Sequence, residues 1–344
     1  ETIFNQINIG NIDLNPKFQR RNAWNDDKRS KLIESIIMGY PVPEIVLAEN
    51  PNKKRSFIVI DGKQRLLTLA GFIDNEKYKY WDRPVLKGLK VLKELNRTKY
   101  IDLDDKSKRE FDNSSLRCTV ITNFKDIQIL YDIFYRLNSG SESLSTQELR
   151  QALNRGKFAD YLVEITNTLQ PIHSVMNLSE PDKRFRDIEI LLRLFAFIKY
   201  PKEYKGNLKR FLDEKMGEIN SKWAEIDSEI MDQYDKINST INLLKDIFGD
   251  YKFIGRKYDE NDFSNRFNKV LFEVEVFYFL DNKIIEHKQN FIDAFKKLCL
   301  EDIDFRSSIE SSTKNIENYK IRYTKFQDLI NNSFGLNLSI NPFL

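Results

Sequence analysis

Residues 57–65 read FIVIDGKQR, four apolar residues that stop at Asp61-Gly62 and turn at once into Lys63-Gln64-Arg65. An unbroken apolar run closed by a turn signal reads as a buried strand. Helical spacing follows at Leu66, Leu67, Ala70 and Ile73, so this stretch predicts a strand, a tight turn and a helix N-terminus. Outward from it, EIVLA at 44–48 is a second strand candidate, joined to the first by the loop NPNKKR, and LRCTVI at 116–121 is a third. The apolar stretch Ile7, Ile9, Ile12 and Leu14 is also expected to be extended, with FQRRNAW leaving it as a loop.

Helices are expected around these strands. Asn25-Asp26-Asp27 offers a cap and early negative charge before the stripe Leu32, Ile33, Ile36, Ile37, which Gly39 ends. Residues 75–115 are polar and weakly periodic, and are expected to be an insertion with a short strand or two. Leu130, Ile133, Phe134 and Leu137 mark another helix, stopping at Asn138-Ser139-Gly140, and Ser145-Thr146-Gln147-Glu148 is a capping box for the next. Beyond about residue 155 strand signals nearly vanish, while stripes such as Ile188, Leu191, Leu192, Phe195 and Phe267, Val270, Leu271, Val274, Phe277 continue. The expected fold is therefore α+β, with a mixed α/β domain over 1–155 and an all-α bundle over 156–344.

Composition narrows the function classes. With 41% apolar and 31% charged residues the chain is of the folded type. Lys and Arg number 55 against 52 acids, so any basic surface must come from local clustering and not from net charge. Cys118 and Cys299 stand apart, which excludes a disulfide scaffold and fits a reducing cytoplasm. No apolar run approaches the ~18 residues of a membrane span. His173 and His287 are the two histidines, isolated from each other and too few for a multi-histidine metal site.

The turn carries the chemistry. A glycine between strand and helix lets the backbone turn sharply and an anion approach it. The first N–H groups of a helix are unpaired and sit at the positive dipole end, which suits phosphate. Lys63 and Arg65 add cations there, Arg65 as a planar fork, and Asp61 could hold a divalent metal, position water or meet a ribose hydroxyl. The alternative is that Asp61 is a turn residue and N-cap while Lys63 and Arg65 are solvated.

Four ordered motifs add to this: P-x-F-Q-R-x-x-x-W from Pro16, L-I-x-S-I-x-x-G-Y-P-x-P from Leu32, V-I-D-G-x-Q-R-L-x-T-L from Val59, and F-x-R-L-N-S-G from Phe134. Their combination resembles the N-terminal domain of the GmrSD-type restriction family, in the ParB/sulfiredoxin-like superfamily, over roughly residues 5–155. The resemblance implies a small mixed sheet with helices, and an antiviral restriction component that binds and hydrolyses a nucleoside triphosphate with Mg²⁺. It also implies coupling to recognition of modified DNA. Asp61, Gly62, Gln64 and Arg65 match the family's D-G-Q-Q-R element, with Lys63 in place of its first Gln; Asp61, Gln64 and Arg65 are the implied catalytic set, Asp61 the metal ligand, and Gly62, Lys63 and the following Thr68 implied nucleotide-binding residues. Gln19 and Arg20 are implied as a second wall of the nucleotide pocket or a DNA-sensing loop, and Arg136 and Asn138 as further nucleotide-pocket residues. Many family members continue into an HNH nuclease, and the two histidines after residue 155 predict that nuclease work comes from a partner protein or from the N-terminal domain.

Other residues keep two readings. Phe18 and Trp24 either stack on a base or pack over the domain edge. Lys53-Lys54-Arg55 is a solvated loop or a phosphate-backbone contact. Arg184, Arg186 and Arg193 either pair with nearby acids or face DNA. A non-catalytic DNA-binding or adaptor module is the alternative function, followed by a direct nuclease, and a homo-oligomer is a further possible assembly.

Overall fold

A computed structural model describes residues 2–12, 14, 24–50, 53–124, 129–130, 133, 136–137, 145–281 and 287–343. The chain forms two compact units, residues 1–153 with Lys183–Phe185, and residues 154–182 with 186–344. The architecture is α+β: a three-stranded sheet near the N-terminus, then helices.

In the first unit the sheet order is β2-β1-β3, with β1 Ile45–Glu49, β2 Phe57–Asp61 and β3 Cys118–Ile121. β1 runs antiparallel to β2 and parallel to β3. β1 is central, and Ile45, Val46, Leu47 and Ala48 are all buried, which is why it reads as a continuous apolar run. One face packs Ile45, Leu47 and Val59 with Leu66, Leu67 and Ala70 of the helix α3, Lys63–Ile73. The other packs Val46, Ile58 and Ile60 with Leu149 and Leu153 of a helix spanning Thr146–Leu153. A register shift between Val46 and Leu47 places Asp61 opposite Val46, so a bulge bends β2 just before the turn.

The first apolar stretch is not extended. Thr2–Asn8 forms helix α1, because Ile3, Phe4 and Ile7 are spaced to give one helical face, and only Ile12 pairs, in a bridge to Phe57. Helix α2, Asp26–Ile37, starts where the sequence places it, with the Asn25 side chain accepting the Lys28 N–H at 3.0 Å. The insertion likewise has no strand among its described residues: it forms 3₁₀ turns at Lys93–Leu95 and Tyr100–Asp102 and helix α4, Asp105–Asp112. Its Trp81, Leu86, Leu89, Leu95 and Leu103 pack against α2, too irregularly spaced for a pleated strand. Its backbone is held by side chains instead: buried Glu34 accepts the N–H groups of Val91 and Leu92, both at 2.9 Å. Residues 129–130, 133 and 136–137 are helical, and the Thr146–Leu153 helix, α5, carries its capping box, with Ser145 N–H donating to Glu148 Oε2 at 2.6 Å and Glu148 N–H to Ser145 Oγ at 3.1 Å.

The second unit comprises α6 Lys157–Ile165, α7 Pro171–Val175, α8 Arg186–Lys199, α9 Leu208–Ser221, α10 Trp223–Phe248, α11 Lys269–Phe279, α12 Lys288–Glu301, α13 Ile303–Glu310 and α14 Ile316–Phe334. α8 and α11 are apolar almost all round and form its centre: nearly every apolar residue from Ile188 to Phe197 and from Val270 to Phe279 is buried. No described helix is long and apolar enough to cross a membrane.

Candidate functional site

The turn after β2 is built on Gly62, whose φ of 91° is left-handed. A Cβ there would sit 2.5 Å from Ile45 Cδ1, so glycine is required both by conformation and by the closeness of β1. As N-cap of α3 it offers no side chain to the first-turn N–H groups. Those donors therefore stay available at the positive end of the helix dipole.

Arg65, on the first turn of α3, folds back over the glycine. Its Nη2 donates to Asp61 Oδ2 at 2.8 Å and to the Glu44 carbonyl at 3.0 Å, tying α3 to the ends of both β2 and β1. Asp61 is the more open partner, its side chain 32% exposed against 13% for Arg65. Two atoms beside this pair are buried without a partner among the described residues, Arg65 Nε and Gln64 Oε1. Lys63 is half-buried on the same turn. Thr68 is buried one turn further on, its hydroxyl donating to the Gln64 carbonyl at 2.8 Å, so it braces the helix beneath the turn.

The donor set bears on metal binding. Among the described residues no group of three or more His, Cys, Asp or Glu could hold a metal ion. A single, partly exposed carboxylate does not make a resident cage, but it fits magnesium carried in on phosphate oxygens, an ion commonly held by one or two carboxylates.

The remaining sequence-derived residues are dispersed. Phe18, Gln19, Arg20 and Asn138 lie outside the described residues. Arg136 is an exposed helical residue. Trp24 packs on the α2 cluster with Lys28 Nζ 5.0 Å from its ring, which is the packing alternative for that side chain. Lys53, Lys54 and Arg55 are exposed at the β1–β2 connection, at the opposite end of β2 from Asp61 and about 13 Å away along the strand. The arginines near residue 190 are ion-paired: Arg184 Nε with Glu148 at 3.1 Å, and Arg186 Nη2 with Asp182 at 2.6 Å. Arg193 is buried against Glu273, its side chain 6% exposed, so its DNA-facing reading is corrected: the guanidinium is turned into the helical unit and engaged by a carboxylate there.

His173 is structural, and His287 is exposed at the start of α12 with no side-chain cap hydrogen bond. In α7, His173 Nδ1 accepts the Gln170 N–H at 2.8 Å, leaving Nε2 to donate to Asp187 at 3.0 Å, with both side chains fully buried. Sequence reading missed Glu44 and Ile45 as parts of the turn. The signal was available, since an antiparallel hairpin places the start of its first strand beside the end of its second.

Comparison with known families matches residues 1–154 to the GmrSD restriction endonuclease, N-terminal domain. No curated protein and no solved structure matches the chain. The family match and the first unit cover nearly the same residues, 1–154 against 1–153. Residues 1–154 of this chain are therefore similar to the N-terminal domain of the GmrSD restriction endonuclease.

Proposed function

We propose that this chain is a DNA restriction component of antiviral defence whose N-terminal unit binds a nucleoside triphosphate at the Gly62 turn and hydrolyses it, nucleotide state gating DNA engagement. The observation that carries the reading is the turn itself: an uncapped helix N-terminus, a glycine that keeps side chains out of the approach, and an arginine and a carboxylate crossing above it. The first-turn N–H groups and Lys63 hold phosphate oxygens, and Arg65, already oriented by the Glu44 carbonyl, contributes its fork. Asp61 orients the attacking water and accepts its proton as the new Pγ–O bond forms and the bond from Pγ to the leaving diphosphate oxygen breaks. A magnesium ion carried on the phosphates, met by Asp61, would neutralise charge on the leaving group.

The experiment is phosphate release from each of the four ribonucleoside triphosphates by the full chain and by Asp61→Ala. Release from at least one nucleotide, falling at least about 100-fold in the variant, is expected from loss of the base; equal turnover by both proteins would reject Asp61. Nucleotide-dependent melting without release from the wild type would identify the non-catalytic adaptor, the reading favoured by Asp61 being already engaged with Arg65.

A further inference from the structure

The first unit also contains a cavity of about 540 Å³ between α1, the later turns of α3 and the end of α4. That volume is of the order of small-molecule sites, roughly 300–1,000 Å³. Its walls are Phe4, Leu69, Tyr100 and Phe111, and its polar side is the segment Asp112–Asn113. Asp112 Oδ1 holds the Tyr100 hydroxyl at 2.9 Å, which fixes that ring at the wall. Asn113 brings a donor and an acceptor in one amide.

The cavity is connected to the turn in two ways. Along α3, Arg65, Leu69 and Ile73 are spaced by four, so they form one stripe, and Leu69 stands about 6 Å up the axis from Arg65. Across the sheet, Leu116 lines the cavity, the next carbonyl, of Arg117, accepts the Ile45 N–H at 2.9 Å, and the Glu44 carbonyl accepts Arg65. The polar turn and the aromatic cavity thus share one flank of α3.

We propose that this cavity takes the nucleoside half of the nucleotide, base and sugar, while the phosphates lie at the Gly62 turn; the inference rests on the phosphate-binding reading of that turn. Aromatic and leucine walls suit the faces of a planar base, and the amide of Asn113 suits its hydrogen-bonding edge. A purely apolar ligand would leave the amide of Asn113 without use.

The full chain is titrated calorimetrically with the four ribonucleoside triphosphates, with inorganic tripolyphosphate and with free nucleosides, alongside Leu69→Trp, which fills the cavity, and Asn113→Ala. At least one triphosphate is expected to bind the wild type tenfold or more tighter than tripolyphosphate. Leu69→Trp is expected to abolish that advantage with tripolyphosphate affinity unchanged, and Asn113→Ala, at an exposed residue that keeps the fold, to reduce it several-fold and alter base preference. Nucleotide binding unchanged in both variants overturns the cavity assignment and leaves the turn standing. Nucleoside binding without tripolyphosphate binding, lost in Leu69→Trp, supports the cavity and rejects the turn, and binding of none of the three overturns both.

Discussion

Two arginine–carboxylate pairs in this chain stand in opposite surroundings. Arg193 and Glu273 join α8 to α11 at the centre of the helical unit, where their side chains are 6% and 1% exposed. Asp61 and Arg65 join a strand end to a helix start at the edge of a sheet, 32% and 13% exposed. In the first pair burial opposes the arginine's charge, but Glu273 and then Tyr319 outweigh it, so the guanidinium is held more firmly protonated than usual. The second pair sits beside an uncapped helix terminus and unpartnered atoms of Gln64 and Arg65. One arrangement is closed around its charges; the other is open to a ligand that could share or displace a partner.

Truncation should separate them most strongly. Glu273→Ala leaves Arg193 buried without its carboxylate and is expected to destabilise the helical unit by about 3–5 kcal/mol in urea denaturation. Replacing both partners by apolar residues, Arg193→Met with Glu273→Leu, should recover most of that loss. Removing the Asp61 carboxylate should change stability by less than about 1 kcal/mol. Equal losses at the two sites would dissolve the contrast.

The glycine sharpens the open side of the comparison. Gly62→Ala forces a side chain into left-handed backbone, costing roughly 1–2 kcal/mol, and pushes its Cβ to 2.5 Å from Ile45 Cδ1. Overpacking of that kind adds about 1–3 kcal/mol, so a total of about 2–5 kcal/mol is expected, together with loss of tripolyphosphate binding. A variant that melts as wild type does would show that β1 yields at this point and that the turn is not rigid.

The sequence made these two environments unequally legible. β1, β2 and the start of α3 were readable because two short apolar runs, Ile45–Ala48 and Phe57–Ile60, divided by a polar loop, allow little else than buried strands, and Asp-Gly-Lys-Gln-Arg announces the turn. The caps at Asn25 and Ser145 were readable because their hydrogen bonds are local. Arg65's attachment to Glu44 depends on strand pairing across 21 positions, and Arg193's burial on a helix packed from all sides by segments as distant as residue 273. Neither is written in the neighbouring residues. Helix α1 was misread as extended because Ile7, Ile9 and Ile12 invite an alternating pattern, whereas the face that is buried runs through Ile3, Phe4 and Ile7.

A second buried acid of α11 tests how closed the helical unit is, with the smallest effect. Glu275 in α11 accepts the Gly255 N–H at 2.7 Å on Oε2, while Oε1 is buried without a partner among the described residues. Arg256, the nearby cation, gives Nη1 and Nη2 to the carbonyls of Ile254 and Val175, both at 2.9 Å. Burial pushes the Glu275 carboxyl well above the usual carboxylate range, against the lowering pull of Gly255 and Arg256. The folded state therefore binds a proton that the unfolded chain releases near the ordinary glutamate value, about 4.3. Its contribution to stability is complete below that pH and declines as pH rises toward the raised folded value, by at most about 1.4 kcal/mol per pH unit. Glu275→Gln keeps an acceptor for Gly255 but cannot ionise. Its melting temperature relative to wild type should climb between pH 4.5 and 7, and a difference that stays flat across that window would mean that Glu275 keeps its charge through a partner.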